Sequence, residues 1–254
     1  MKAPALLLTL LAASTLTLGA GQAIADEIHI AVASNFTHAI KVLGRRFEAN
    51  SGHKVTFSFG STGKHYAQIK HGAPFHALFS ADVKRPQLLD KEGIALPGSR
   101  FTYAIGKIVL WSPKKGVVDA QGKVLQQGTF RHLAIASPKL APYGRAARQV
   151  LLERGIWDTL QGRMVRGENI GQTFQFVKSG NAELGFIALS QIKHPARAIE
   201  GSLWEVPQSL YSPIEQQAVL LRESDAARAF LAFVKSDESL EIMRGFGYAT
   251  PNVE

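Results

Sequence analysis

The stretch EIHIAVASNFTHAIKVLGRRFEAN, residues 27–50, decides the fold of this 254-residue chain. Its first seven residues form a mainly apolar run, which predicts a buried strand. Ser34 and Asn35 follow as the small polar residues of a turn. The next residues repeat an apolar side chain every three or four positions, at Phe36, Ile40, Leu43 and Phe47. A strand, a turn and an amphipathic helix in this order are the building unit of an α/β fold.

The same unit recurs three times further along the chain. Each copy has a short apolar strand, a turn of small residues and then a helix, with the turns at 60–63, 141–144 and 167–171. Strands that alternate with helices indicate mixed, mostly parallel sheets with helices on both faces. The sequence therefore predicts the α/β class.

Two longer apolar stretches, 101–111 and 215–221, interrupt this alternation. The pattern restarts after the first of them, which indicates a second sheet, and both stretches are natural places for the chain to cross between sheets. We therefore expect a two-lobed protein with two crossover strands. Lobe I comprises residues 26–104 plus 220–254, and lobe II comprises residues 105–219.

The N-terminal residues 1–25 predict a secretory signal peptide. Lys2 precedes an apolar run, Leu6–Leu18, that is too short to span a bilayer well. The tripeptide Ala23-Ile24-Ala25 is typical of a signal peptidase site. We expect cleavage after Ala25 and export of the chain.

Composition argues against several classes of function. The net charge is +9, but Lys and Arg are scattered singly or in pairs and no nucleic-acid motif is present, so we expect no nucleic acid partner. The chain has no Cys, which excludes thiolate catalysis and thiolate metal sites. His65, His71 and His76 are spaced by six and five residues and do not share a helix face, so we expect no site for a free metal cation.

The four turns share a property that points to anions. Each places small or hydroxylated residues at the start of a helix: Ser34-Asn35, Ser61-Thr62-Gly63, Tyr143-Gly144 and Ile170-Gly171. The first turn of a helix has free N–H groups and the positive end of the helix dipole, so it binds anions without a charged side chain. Ligands of open α/β sheets lie beyond the carboxyl ends of the strands, where these turns are. Two turns from each lobe therefore predict one oxyanion site in the cleft.

Longer motifs at these turns carry a family resemblance. The segments AVASNFTHAIKVLGRRFEANSGHKVTFSFGSTGKHYAQIKHGAPFHALFSAD (31–82), ASPKLAPYGRAARQVLLERGIWDTL (136–160), NIGQTFQFVKSGNAELGFIALSQI (169–192) and GFGYATP (245–251) occur in the right order. The sequence resembles the periplasmic molybdate-binding proteins of ABC transporters over essentially all of 27–251. The resemblance implies the two-lobed periplasmic binding protein fold of type II. It also implies binding of molybdate or tungstate for delivery to an inner-membrane ABC permease.

The resemblance also implies which residues hold the oxyanion. Ser34 and Asn35 match the first anion-binding turn, and Thr62, with its neighbour Ser61, matches the hydroxyl of the second. Tyr143 and Ile170 match positions that bind through a backbone N–H. Some family members add a Tyr hydroxyl where this chain has Ala188, so the chain resembles the branch that uses Asn35 instead. No cofactor is implied, molybdenum or tungsten enters only as the oxyanion, and we expect a monomer in the periplasm.

Two other readings remain open from the residues alone. One is a protein that binds sulfate or another tetrahedral oxyanion through the same four turns. The other is an exported hydrolase in which Ser61 or Thr62 is the nucleophile and His65 its base. Because nothing pairs carboxylates for acid–base chemistry, we expect a binding protein without catalytic residues.

Overall fold

Strands and helices alternate along residues 26–251, the range that the computed structural model describes. The predicted signal peptide, residues 1–25, lies outside this range. The strands are β1 (Glu27–Ala33), β2 (Lys54–Gly60), β3 (Ala77–Ser80), β4 (Phe101–Gly106), β5 (Ile108–Ser112), β6 (Leu133–Ala136), β7 (Met164–Gly167), β8 (Leu184–Ala188), β9 (Ser202–Glu205) and β10 (Ile214–Leu220). The helices are α1 (Thr37–Ser51), α2 (Thr62–Lys70), α3 (Lys84–Lys91), α4 (Val124–Gln127), α5 (Pro142–Glu153), α6 (Trp157–Leu160), α7 (Ile170–Lys178), α8 (Asp225–Val234) and α9 (Asp237–Gly245). Over residues 26–251, no helix has the length and apolar character that a membrane span requires.

The strands form two five-stranded sheets of the same design. The first has the order β2-β1-β3-β10-β4 and the second the order β7-β6-β8-β5-β9. In each sheet four strands run in the same direction, and the fifth, β10 in the first sheet and β5 in the second, runs antiparallel to both of its neighbours. The predicted two-lobed α/β fold is confirmed. Parallel and antiparallel pairings number four each among the described residues, a larger antiparallel share than the sequence pattern predicts.

Helices cover both faces of each sheet because successive strand residues enter different cores. In β1, Ile28, Ile30 and Val32 pack on one face with residues of α1 and α8. Ala31 packs on the other face with residues of α2 and α3. The second sheet repeats this arrangement, with β6 and β8 contributing residues to two separate clusters. A strand that is buried on both faces reads as a continuous apolar run, as 27–33 does.

The chain passes between the sheets at Lys107 and again over residues 206–213. The stretch 101–111 is therefore two strands, since β4 pairs with β10 whereas β5 pairs with β8 and β9. The second passage differs from the predicted lobe boundary at 219/220, because β10 lies wholly in the first sheet. Ala218, Val219 and Leu220 pack in the cores of that sheet, whereas Ile214 at the start of the strand packs in the core of the second. An apolar run by itself does not indicate which of two cores it enters.

A close approach between α5 and the second sheet requires a glycine. A Cβ built on Gly144 would overlap the backbone carbonyls of Ala136 and Ser137 at the end of β6. Backbone carbonyls cannot move aside as the end of a flexible side chain can. Gly144 therefore lets the first turn of α5 sit directly against the carboxyl end of its strand.

We expect Gly144→Ala to lower the free energy of unfolding by about 1–3 kcal/mol, because the added methyl group overpacks this contact. Urea denaturation followed by circular dichroism measures the change. Gly162→Ala is the matched control: a Cβ there meets nothing within 4 Å, so the expected change is within about 0.5 kcal/mol. Equal stability of the two variants would contradict the close approach.

Candidate functional site

The four predicted turns meet at one cavity between the two sheets. The residues that line it are Ala33, Ser34, Asn35, Gly60, Ser61, Thr62, Ala81, Ala141, Pro142, Tyr143, Asn169 and Ile170. All six predicted site residues are among them, and their role as ligands stays a prediction. None of these lining residues carries a charged side chain. The site is therefore a polar, neutral pocket bounded by helix starts.

The first sheet contributes two hydroxyl-bearing positions at the start of α2. Ser61 caps the helix, and its Oγ accepts a hydrogen bond from the Lys64 N–H at 3.3 Å. Thr62 begins the helix, and its Oγ1 accepts from the Ala81 N–H at 3.0 Å. Both residues are at most 2% exposed. An accepting hydroxyl keeps its own proton, so each remains able to donate to a ligand.

The second sheet contributes backbone donors at the starts of α5 and α7. Tyr143 is the second residue of α5, which has Pro142 at its first position, and Ile170 is the first residue of α7. Backbone N–H groups at these positions have no acceptor within their own helix. Asn169 caps α7, and its Oδ1 accepts from the Gln172 N–H at 2.9 Å. The two helices thus aim their positive ends at the cavity.

Direct hydrogen bonds between the two lobes close this cavity. The Ser34 hydroxyl donates to Asn169 Oδ1 and accepts from the Gly171 N–H, both at 3.1 Å. On the α2 side, the Gly63 N–H donates to the Leu140 carbonyl at 3.0 Å. The structure is therefore the closed form of the two-lobed fold.

An ion pair also links the lobes beside the cavity. Asp82, whose side chain is 10% exposed, accepts hydrogen bonds from Arg85 in its own lobe and from Arg145 of α5 at 2.7 Å. Arg145 is 39% exposed, so water screens this contact in part. Asp82 and Arg145 are 63 positions apart, so no local sequence pattern marks them as a pair.

A buried polar network lies behind Asn35. The Asn35 amide lies 2.8 Å from the Gln216 amide and 3.0 Å from the Tyr248 hydroxyl. The Gln216 amide also lies 2.9 Å from the Tyr103 hydroxyl and 3.2 Å from the Tyr143 hydroxyl. Burial raises the pKa of all three tyrosines, well above the ordinary value for Tyr103 and Tyr143, so the hydroxyls stay neutral.

Ala188 plays no part in the cavity lining. It ends β8, is fully buried, and its backbone N–H donates to the Gln191 side chain at 2.9 Å. The polar groups nearest to Asn35 on that side are instead Ser190 and Tyr248.

The hydrogen bonds of His65 argue against the hydrolase hypothesis, in which His65 is the base. The ring nitrogens of His65 are both engaged, Nε2 with the Val32 carbonyl at 3.1 Å and Nδ1 with Gln68 at 3.1 Å. Neither nitrogen is therefore left to take a proton from Ser61 or Thr62. Over residues 26–251 no group of three or more His, Asp or Glu side chains is placed to hold a metal ion.

The buried His65 makes stability sensitive to acid. Burial lowers the pKa of His65 below its ordinary value of 6.5, so the unfolded chain takes up the proton first as the pH falls. The free energy of unfolding is therefore not reduced by this histidine above pH 6.5, and it decreases as the pH falls below that value.

We expect His65→Gln to reduce the decrease in unfolding free energy between pH 7 and pH 5, measured by urea denaturation. The control is His71→Gln at an exposed position of the same segment; if it reduced the decrease equally, His65 would not be the cause.

Comparisons with known proteins agree with this geometry. The family described as bacterial extracellular solute-binding protein matches residues 28–249. The molybdate-binding protein ModA of Azotobacter vinelandii is 48% identical over 238 residues, which are 91% of this chain and 94% of the relative. The molybdate-binding protein ModA of Rhodobacter capsulatus is 48% identical over 231 residues, 90% of each chain. The solved structure of the periplasmic molybdate-binding protein of Azotobacter vinelandii superposes with a TM-score of 0.86 at 46% identity, over 89% of this chain and all of that one.

The matched family covers both sheets, the four turns and the cavity that they enclose, and its members are binding proteins and not enzymes. This chain belongs to the bacterial extracellular solute-binding protein family.

Proposed function

We propose that this protein binds molybdate or tungstate in the periplasm and delivers it to an ABC importer of the inner membrane. The observation that carries the proposal is the small neutral cavity formed by helix starts from both lobes. The names of the relatives that are 48% identical support molybdate as the ligand. The described periplasmic origin of the similar solved structure supports the compartment.

The donors of the cavity suit a divalent oxyanion. An anion that leaves water loses its hydration, and hydrogen bonds must replace that loss. Backbone N–H groups of Tyr143 and Ile170 and hydroxyls of Ser61 and Thr62 supply them, together with the helix dipoles. Because no cationic side chain lines the cavity, the closed complex can still release its ligand to a transporter.

The same donors discriminate among oxyanions. Hydrogen phosphate carries an O–H group that requires an acceptor, and no carboxylate lines the cavity. Molybdate and sulfate are both fully ionised at neutral pH, so the size of the closed cavity has to separate them. Molybdate and tungstate share size and shape, and we expect similar affinities for both.

Closure of the lobes completes the proposed transport function. In the closed form the ligand is covered by both lobes, and surfaces of both lobes face a permease together. We propose that a single chain is the functional unit, since the cavity is complete within one chain.

Calorimetric titration of the exported chain tests the proposal directly. We expect one-to-one binding of molybdate and tungstate, and no heat with phosphate or sulfate. Preferential binding of sulfate would keep the oxyanion site but reject the proposed ligand. Absence of binding to all four oxyanions would reject the proposed function.

The ion pair between Asp82 and Arg145 should slow ligand release. We expect Arg145→Gln to raise the Kd for molybdate about fivefold, the effect of about 1 kcal/mol for a partly exposed pair, mainly through a faster off-rate. Stopped-flow fluorescence with a molybdate chase measures that rate. Arg148→Gln removes the same charge from an exposed position of α5, where Arg148 lies against Trp157. Equal effects of the two variants would attribute the change to net charge and not to the ion pair.

A further inference from the structure

We propose that Gln216 is a positioning residue that turns the side-chain NH₂ of Asn35 toward the oxyanion; this inference rests on the proposed function. Neither Gln216, nor its partner Tyr103, nor Tyr248, the other partner of the Asn35 amide, lines the cavity. Asn35 does line it, and is 1% exposed. Gln216 therefore acts on the ligand only through the group that it holds.

The position of Gln216 in the fold is unusual for a polar side chain. It is fully buried in β10, and the pairing of β10 with β4 is irregular between Gln216 and Gln217. Such bulges re-aim side chains and occur next to functional sites. On the neighbouring strand β4, a Cβ on Gly106 would overlap both the Tyr143 hydroxyl and the Gln216 amide. The irregular pairing of β10 and the missing side chain at Gly106 thus both leave space for the Gln216 side chain.

The contacts leave one end of the Asn35 amide unused. One end faces Gln216 at 2.8 Å and Tyr248 at 3.0 Å. The opposite end is buried and has no hydrogen-bond partner among the described residues. Because Gln216 and Tyr248 do not line the cavity, the unused end is the end left to the cavity. An anion there needs a donor, and a carbonyl oxygen would repel it.

The contacts of Gln216 permit an Asn35 side chain whose NH₂ faces the cavity, the orientation that an anion requires. The Tyr103 hydroxyl lies 2.9 Å from the Gln216 amide and 3.2 Å from the Ser80 backbone carbonyl, and its one proton can go to either. When Tyr103 donates to Ser80, its oxygen accepts from the facing end of Gln216, which is then the NH₂ group. The same NH₂ group faces Asn35 and donates to it. Asn35 then presents its oxygen to Gln216 and its NH₂ to the cavity.

This arrangement also satisfies the other end of Gln216. Its oxygen accepts from the Tyr143 hydroxyl at 3.2 Å, a contact from lobe II. The Tyr248 hydroxyl lies 2.8 Å from the Asn35 backbone carbonyl, 2.9 Å from Ser190 Oγ and 3.0 Å from the Asn35 amide, and in this orientation its proton goes to the amide oxygen. When the two amides have this orientation, the Asn35 end that lacks a partner is a donor that faces the ligand. The opposite sense leaves an unpaired oxygen beside an anion.

Binding measurements on Gln216→Met test the inference, because Met has similar length but neither donor nor acceptor. We expect the Kd for molybdate to rise about tenfold, the effect of one typical hydrogen bond. In the Asn35→Ala background the same substitution should leave the Kd unchanged within twofold. Gln217→Met is the control, since Gln217 bonds to Thr102 and Arg100 outside the cavity, and its Kd should equal that of the wild type.

A second measurement needs no substitution in Gln216. In ¹⁵N-labelled wild-type protein, the side-chain NH₂ resonances of Asn35, assigned by comparison with Asn35→Ala, should shift on titration with molybdate. Three outcomes would overturn the role of Gln216 alone. The first is a further tenfold rise in Kd when Gln216→Met is added to Asn35→Ala. The others are a wild-type Kd for Gln216→Met and an Asn35 NH₂ signal that does not shift. Absence of molybdate binding to the wild-type protein would instead reject the proposed function, and this inference with it.

Discussion

The proposed function places one constraint on the cleft: an oxyanion must exchange its bound water for hydrogen bonds from neutral donors only. A single helix start offers too few N–H groups to replace a hydration shell, so several starts have to converge on one point. Each lobe brings two, because each sheet carries two strand–turn–helix units whose strands end at the cleft. The equal design of the two sheets follows from this requirement, and no single turn would form the site by itself.

Convergence in turn requires close backbone approaches. Gly144 allows α5 to rest on the end of β6, and Gly106 admits Tyr143 and Gln216 at the passage between the sheets. At both positions the space that a side chain would occupy is taken by a group that belongs to the site or supports it. The lining of the cavity is therefore fixed mainly by the backbone, while the side chains of Ser34, Asn35 and Thr62 complete it.

The sequence was informative wherever the relevant physics is local. An apolar run, a small-residue turn and a helical repeat lie within about twenty residues, so the strands of both sheets and the four turns could be predicted from the pattern. Residues paired across long separations could not. Gln216 contacts a residue 181 positions away, and its burial depends on a bulge that no residue pattern marks. The second passage between the sheets was misplaced for the same reason, since the apolar end of β10 suits either core.

The contacts between the lobes explain how a closed structure can remain reversible. Across the cleft, hydrogen bonds join Ser34 to Asn169 and Gly63 to Leu140, and a partly exposed ion pair joins Asp82 to Arg145. The pair between Lys64 and Glu168 is more exposed, and such pairs contribute little in water. These contacts bury few apolar side chains, whereas each lobe has its own large core. Closure therefore depends on a ligand that binds both lobes at once, and a ligand shifts this equilibrium only by its preference for the closed state. Because residues of both lobes line the cavity, opening separates them, and the opening that a permease would impose is then also the step that would release the proposed ligand.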